Sequence, residues 1–263
     1  MQRDVSARIG ITSSGTARLA FAIGVAAGYD ADERFEATQG GRPLDFTIVE
    51  DLHGTRLHLV DVEEGSAEFA YSATVRGTAT PLPLDPLDDW RYLRPSRYSE
   101  SDILRPMALA EFGGLEGPEL LNAVGSWVGT KLAYRSGSSL PTDSAVRTLL
   151  NREGVCRDFA HLVVGLLRAI DVPARVVGVY APGLDPMDFH AVAEAHLAGQ
   201  WHVIDATALA PRASLVRIAT GRDAADIAFL TSHGADITLS ELTVMATVDE
   251  LPADDMDRLV VIQ

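Results

Sequence analysis

The 263-residue sequence contains a single cysteine, Cys156. That excludes an internal disulfide and a cysteine-rich zinc site. It contains no apolar run of about 18 residues, so no segment reads as a membrane span. Met1-Gln2-Arg3-Asp4-Val5 has no basic stretch followed by an apolar one, so no secretory signal is read and a cytoplasmic location is expected. Positive charge is scarce as well. The 22 Lys and Arg face 37 Asp and Glu, for a net charge of -15. Phosphate binding needs clustered Lys and Arg, so no nucleic-acid partner is expected. Fixed-period repeats and low-complexity tracts are also absent. Hydrophobic residues make up 47% of the chain, enough to bury a full core without staples.

The first ~75 residues carry short β patterns separated by turn residues. Strands are predicted over Ala17–Val25, Phe46–Val49, Arg56–Val60 and Ala67–Val75, with a turn around His53-Gly54. They suggest a small antiparallel sandwich over residues 1–76. Pro81, Pro83, Pro86, Pro95 and Pro106 then interrupt regular structure, so 77–100 is read as a connector. A second domain is expected over 101–263, with helices first and an antiparallel sheet after them, an α+β layout. Leu120, Leu121, Val124, Trp127 and Val128 predict a helix over 118–131. Thr142 can cap a second helix over 143–152, with Gly154 just past its end. The third, Cys156 to Ile170, is apolar on most sides and should be buried. Strands are predicted over Ala174–Tyr180, His190–Leu197, Trp201–Thr207 and Ile237–Val248.

Cys156 falls at the start of the buried helix. Free N–H groups and partial positive charge at a helix N-terminus favour thiolate over thiol. The same N–H groups can receive a developing oxyanion. Such a nucleophile needs a base, and the base an orienter. His190, Val192, Glu194 and His196 share one strand face. Trp201, Val203 and Asp205 share a face of the partner strand. A turn at Gly199-Gln200 would pair Glu194 with Asp205 and turn both acids, with His190, toward the helix bearing Cys156. That register leaves Asp205 about four residues, or ~13 Å, along from His190. On register alone, Glu194 serves as orienter no worse than Asp205.

Gly154-Val155-Cys156-Arg157-Asp158-Phe159-Ala160-His161 resembles the nucleophile motif of bacterial transglutaminase-like proteins. His190-Ala191 resembles the start of their histidine motif, and Asp205-Ala206-Thr207 their aspartate motif. Gly221-Arg222-Asp223-Ala224-Ala225-Asp226 is similar to a following segment, and Tyr92-Leu93-Arg94-Pro95-Ser96-Arg97-Tyr98 to the stretch leading into their catalytic domain. The resemblance spans roughly residues 90–231, with the blocks in order. It implies a papain-like transglutaminase core, helices packed on an antiparallel sheet, behind the N-terminal β-sandwich-like domain. It also implies Cys156 as nucleophile, His190 as base and Asp205, rather than Glu194, as orienter. The chemistry implied is attack on an amide carbonyl through a thioester. Two positions depart from the common pattern: Val192 replaces an aromatic residue, and Ala206 a proline. Both alter the walls of the site without removing a reacting group.

Other candidates have simpler readings. Asp158 in a helix's first turn is explained by the dipole. His161 is read as a packed or solvated histidine and Trp127 as helix core. His190, His196 and His202 lack metal spacing, so no metal and no cofactor is expected. The acidic runs at Asp85, Asp88 and Asp89 and at Asp249, Glu250, Asp254 and Asp255 are read as solvated loops without calcium-loop spacing. The expected activity is hydrolysis of an amide or peptide bond in a peptide or protein substrate. The alternatives are glutamine–lysine crosslinking by the same triad and a non-catalytic binding or scaffolding module.

Overall fold

The computed structural model describes residues 1–80 and 84–263. Pro81 and Pro83, two of the expected breakers, lie outside the described residues. Seven strands come first: β1 (Gln2–Ser13), β2 (Ala17–Phe21), β3 (Asp30–Gln39), β4 (Arg42–Pro43), β5 (Phe46–Glu50), β6 (Arg56–Val62) and β7 (Gly65–Arg76). Then follow α1 (Asp88–Arg91), α2 (Ser101–Phe112), α3 (Gly117–Lys131), β8 (Ala133–Tyr134), α4 (Ala145–Asn151), β9 (Glu153–Gly154) and α5 (Cys156–Ala169). The chain continues through β10 (Ala174–Tyr180), β11 (His190–Leu197), β12 (Gln200–Ile204), β13 (Val216–Gly221), α6 (Ala224–Ile227), β14 (Leu230–Gly234) and β15 (Ile237–Val248).

The architecture is α+β with antiparallel main sheets. A sheet ordered β15-β1-β7-β3-β4 and another ordered β14-β2-β6-β5 form the N-terminal sandwich. Alternating side chains such as Val5, Ala7, Ile9 and Ile11 of β1 meet Leu19, Phe21 and Val60 in its core. Tyr180, Val216 and Ile218 of the next sheet join that core. The sandwich was expected to end at residue 76 and the second domain to run to 263. Instead β14 pairs with β2, and β15 runs the length of β1. These C-terminal strands belong to the sandwich because β1 and β2 otherwise offer unpaired edges to water.

The other four-stranded sheet is ordered β12-β11-β10-β13. α5 covers one face, where Ala174, Val176, Ala191, Ala193 and Ala195 meet Leu162, Val163 and Leu166. α2, absent from the sequence reading, packs on α5. It contains Pro106, expected to break regular structure. Proline forfeits one intrahelical bond, but Leu104, Ala108 and Phe112 are buried along a single face. Leu104 is so close to Gly165 of α5 that a Cβ there would meet it at 2.7 Å. Tertiary burial therefore overrides the local penalty. α4 starts at Ala145, not Asp143, and Thr142 does not cap it. Glu100 serves the end instead, accepting from Val146 N–H at 3.3 Å. The acidic runs are not all solvated loops. Asp88 is buried beside Arg91, His53 and Arg175, and Asp254 pairs with the buried Arg212.

Candidate active site

Cys156 opens α5, as its motif predicts, and is half-buried. Two local features hold it there. Asp158 accepts the Val155 N–H at 2.9 Å, anchoring the turn that precedes the helix. Gly154 lies against that carboxylate, where a Cβ would meet Asp158 Cβ at 2.7 Å. The Gly-x-Cys-x-Asp spacing is thus a packing solution. Asp158 is structural, in line with the dipole argument.

The β11–β12 hairpin turns at Ala198 and Gly199, both in the left-handed region, one position earlier than expected. Leu197 faces Gln200 and Glu194 faces Val203, not Asp205. This two-residue shift brings Asp205, just past the end of β12, back toward His190. The acids do not face α5. The helix packs on the alanine face of β11, while Val192 and Val203 belong to a cluster on the other side. His190 is the first residue of β11, and at the strand end it meets both Asp205 and Cys156.

His190 Nε2 donates to Asp205 Oδ2 at 2.8 Å, and both side chains are buried. Thr207 fixes the other carboxylate oxygen through its N–H at 2.9 Å and its hydroxyl at 2.6 Å. The Asp-Ala-Thr motif therefore closes on itself and leaves one oxygen for the imidazole. His190 Nδ1 is buried with no hydrogen-bond partner among the described residues. Burial would push the imidazole pKa down. The charge and hydrogen bond of Asp205, with the adjacent Cys156 sulfur, overcome this and raise it to about 10. Burial likewise opposes ionisation of Asp205, but His190 and Thr207 hold its pKa below the usual carboxylate value.

Glu194, the rival orienter, is held elsewhere. Arg175 Nε donates to it at 2.8 Å and Arg217 Nη1 at 3.0 Å. Burial would raise its pKa, but Arg217 and Arg175 bring it down to about 2. Arg175 also stacks 3.9 Å over the Trp201 ring. Trp127 is away from this constellation, donating to Glu111 at 3.0 Å and packing on Phe112. His196 binds Asp89 at 2.6 Å. Among the described residues, no group of three or more His, Cys, Asp or Glu is arranged to hold a metal ion. No described helix is long and apolar enough to cross a membrane.

The outlying motif blocks meet in one buried scaffold. His161 stacks on Tyr98 at 5.3 Å and accepts the Ala224 N–H at 3.0 Å. Burial lowers its pKa to about 3, which keeps it a neutral acceptor. Asp223 accepts the Tyr98 N–H at 2.9 Å. Arg168 donates to the carbonyls of Ala174, Arg94 and Arg222. These contacts tie the connector and the 221–226 segment to the back of α5. The sequence reading missed Tyr134. It lies on the two-residue β8, too short for any periodicity, and pairs with Gly154, two residues before Cys156.

Comparison with known proteins places the fold. The Transglutaminase-like superfamily profile matches residues 113–206, a span containing Cys156, His190 and Asp205. A candidate cysteine protease from Cytophaga hutchinsonii, known from its crystal structure, is 32% identical with a TM-score of 0.88. The alignment covers 98% of this chain and 96% of that one, so the likeness includes the sandwich. An uncharacterized Mycobacterium tuberculosis protein is 35% identical over 151 residues, covering 51% of this chain and 47% of its own length. One from Mycobacterium leprae is 28% identical over 137 residues, covering 49% of each. The chain thus matches about half the length of these curated relatives. With the family profile on residues 113–206 and a near full-length structural relative, the chain belongs to the transglutaminase-like superfamily.

Proposed function

We propose that the protein hydrolyses amide bonds in a peptide or protein substrate through a thioester on Cys156. The observation that carries this reading is the divided imidazole of His190. One nitrogen is committed to a fully bonded Asp205, and the other is buried, without a partner and on the side left for the sulfur. An imidazole held in one orientation beside a thiol can take its proton and later deliver it to a leaving amine. Asp205 stabilises the resulting imidazolium. The sulfur would attack the carbonyl carbon, the amine would leave with the proton from His190, and a thioester would remain. The half-buried position of Cys156 leaves that thioester open to water, which favours hydrolysis.

The test uses p-nitrophenyl acetate, followed by mass spectrometry, and then casein with a fluorescent amine. A transient acetyl group on Cys156 and release of peptide fragments or ammonia without amine incorporation are expected. Amine incorporation in place of hydrolysis would make the protein a crosslinking enzyme. Failure of Cys156 to acylate would leave a binding module.

A further inference from the structure

A carbonyl attacked by Cys156 develops negative charge on oxygen, and that oxygen needs donors. The chain supplies one from its backbone. Cys156 is the first helical residue of α5, and no carbonyl among the described residues accepts its N–H. A single N–H leaves half of an ordinary oxyanion hole unfilled. We propose that the Tyr134 hydroxyl is the other half, donating to the oxyanion beside the Cys156 N–H.

The placement follows from the short parallel pair β8–β9. Ala133 N–H donates to Arg152 O at 2.9 Å and Arg135 N–H to Gly154 O at 3.0 Å, so Tyr134 is clamped alongside Gly154. Its ring packs on Phe159 in the first turn of α5, with centroids 5.9 Å apart. Phe159 is buried and holds the ring against the helix start. In the resting protein the phenol oxygen accepts the Cys156 main-chain N–H and lies near its sulfur, so an entering carbonyl oxygen takes over that N–H and the hydroxyl turns to donate to it. Tyr134 is still 46% exposed, which leaves a side open for a carbonyl to enter. Partial burial, followed by the neighbouring sulfur, pushes the phenol pKa up to about 12. The hydroxyl therefore keeps its proton at any working pH and remains a donor.

In the step, the Cys156 sulfur bonds to the carbonyl carbon and the C=O π pair moves onto oxygen. That oxygen accepts from Cys156 N–H and Tyr134 O–H. The pair returns as the C–N bond breaks. The amine leaves with the proton from His190, and the thioester remains. Tyr134 changes no protonation state, so its contribution is to the transition state alone.

The inference rests on Cys156 being the nucleophile, and its test keeps the two claims separate. Tyr134→Phe removes only the hydroxyl and retains the packing on Phe159. Two reagents are compared on the lone cysteine. Acylation by p-nitrophenyl acetate passes through an oxyanion, whereas alkylation by iodoacetamide at a saturated carbon does not. The variant should lose about 10²-fold in acylation rate while its alkylation rate stays at the wild-type value. Unchanged acylation would overturn the inference, as would a parallel fall in both rates, which marks a structural role. Faster acylation would also overturn it, making Tyr134 a plug. Wild-type protein that alkylates but never acylates would overturn both claims. Normal wild-type acylation with an unaffected variant overturns this one alone.

Discussion

Two buried acids beside the same strand behave in opposite ways. Glu194 and Asp205 are both inaccessible, and each faces a base. At Glu194 the account closes. Arg175 and Arg217 cover the carboxylate, and neither it nor the guanidiniums have an unpartnered buried atom among the described residues. At Asp205 the acid is equally well satisfied, by Thr207 and His190, but its base is not. His190 Nδ1 is left over, next to the sulfur of the one cysteine in the sequence. Burial does not separate the two acids, since both are inaccessible. What differs is the base: the second ring nitrogen of His190 lies beside the Cys156 sulfur, whereas the guanidiniums at Glu194 have no such neighbour among the described residues.

Substitutions should separate the two regions by what they damage. The largest effect belongs to Cys156→Ala, which should lower acyl transfer by at least about 10⁴-fold while far-UV circular dichroism stays unchanged. Asp205→Asn should cost about 10³-fold in acylation, because the imidazole loses its orienting acceptor. Glu194→Gln should do the reverse. It leaves two buried guanidiniums short of countercharge, at about 3–5 kcal/mol of stability in urea unfolding. Its folded fraction should acylate at the wild-type rate. If Glu194→Gln slows acylation as much as Asp205→Asn, the distinction between the two acids fails.

The pH dependence of stability should divide along the same line. The Glu194 pKa falls from 4.5 to about 2 on folding. Its stabilisation is complete above 4.5 and is lost as pH falls toward 2. The His190 pKa rises from 6.5 to about 10. Its stabilisation is complete below 6.5 and is lost as pH climbs toward 10. Asp205→Asn should flatten the alkaline limb of the Tm profile and leave the acid limb steep, whereas flattening of the acid limb instead would reverse the assignment. A smaller effect is expected at Gly154→Ala. The added Cβ presses on Asp158 and should cost about 1–3 kcal/mol, with a slower acylation as the helix start shifts.

The local geometry around Cys156 was more legible in the sequence than the scaffold. The Gly154–His161 block carried its own packing logic, and α5, β10 and β11 follow patterns strong enough to place them nearly to the residue. The register of the hairpin was not legible. Ala198 takes a left-handed conformation that only a following glycine makes familiar, and one residue of turn decides whether Asp205 reaches His190. β3, Asp30–Gln39, is mostly polar, and only Ala37 is fully buried. It is a strand because β7 pairs with it along its length, which no local propensity reports. α2 was hidden by Pro106, and the assignment of β14 and β15 to the sandwich depends on contacts more than 200 residues apart in sequence. Tyr134 was invisible for the opposite reason, a two-residue strand too short to carry a pattern.

Alkylation of the lone cysteine by iodoacetamide across pH tests the central claim most directly. With His190 protonated up to about pH 10, the imidazolium stands beside Cys156 through the neutral range. Alkylation at neutral pH should therefore depend on that charge, and Asp205→Asn should slow it. A wild-type rate that rises only near pH ~8.5, like a free thiol, would contradict the account.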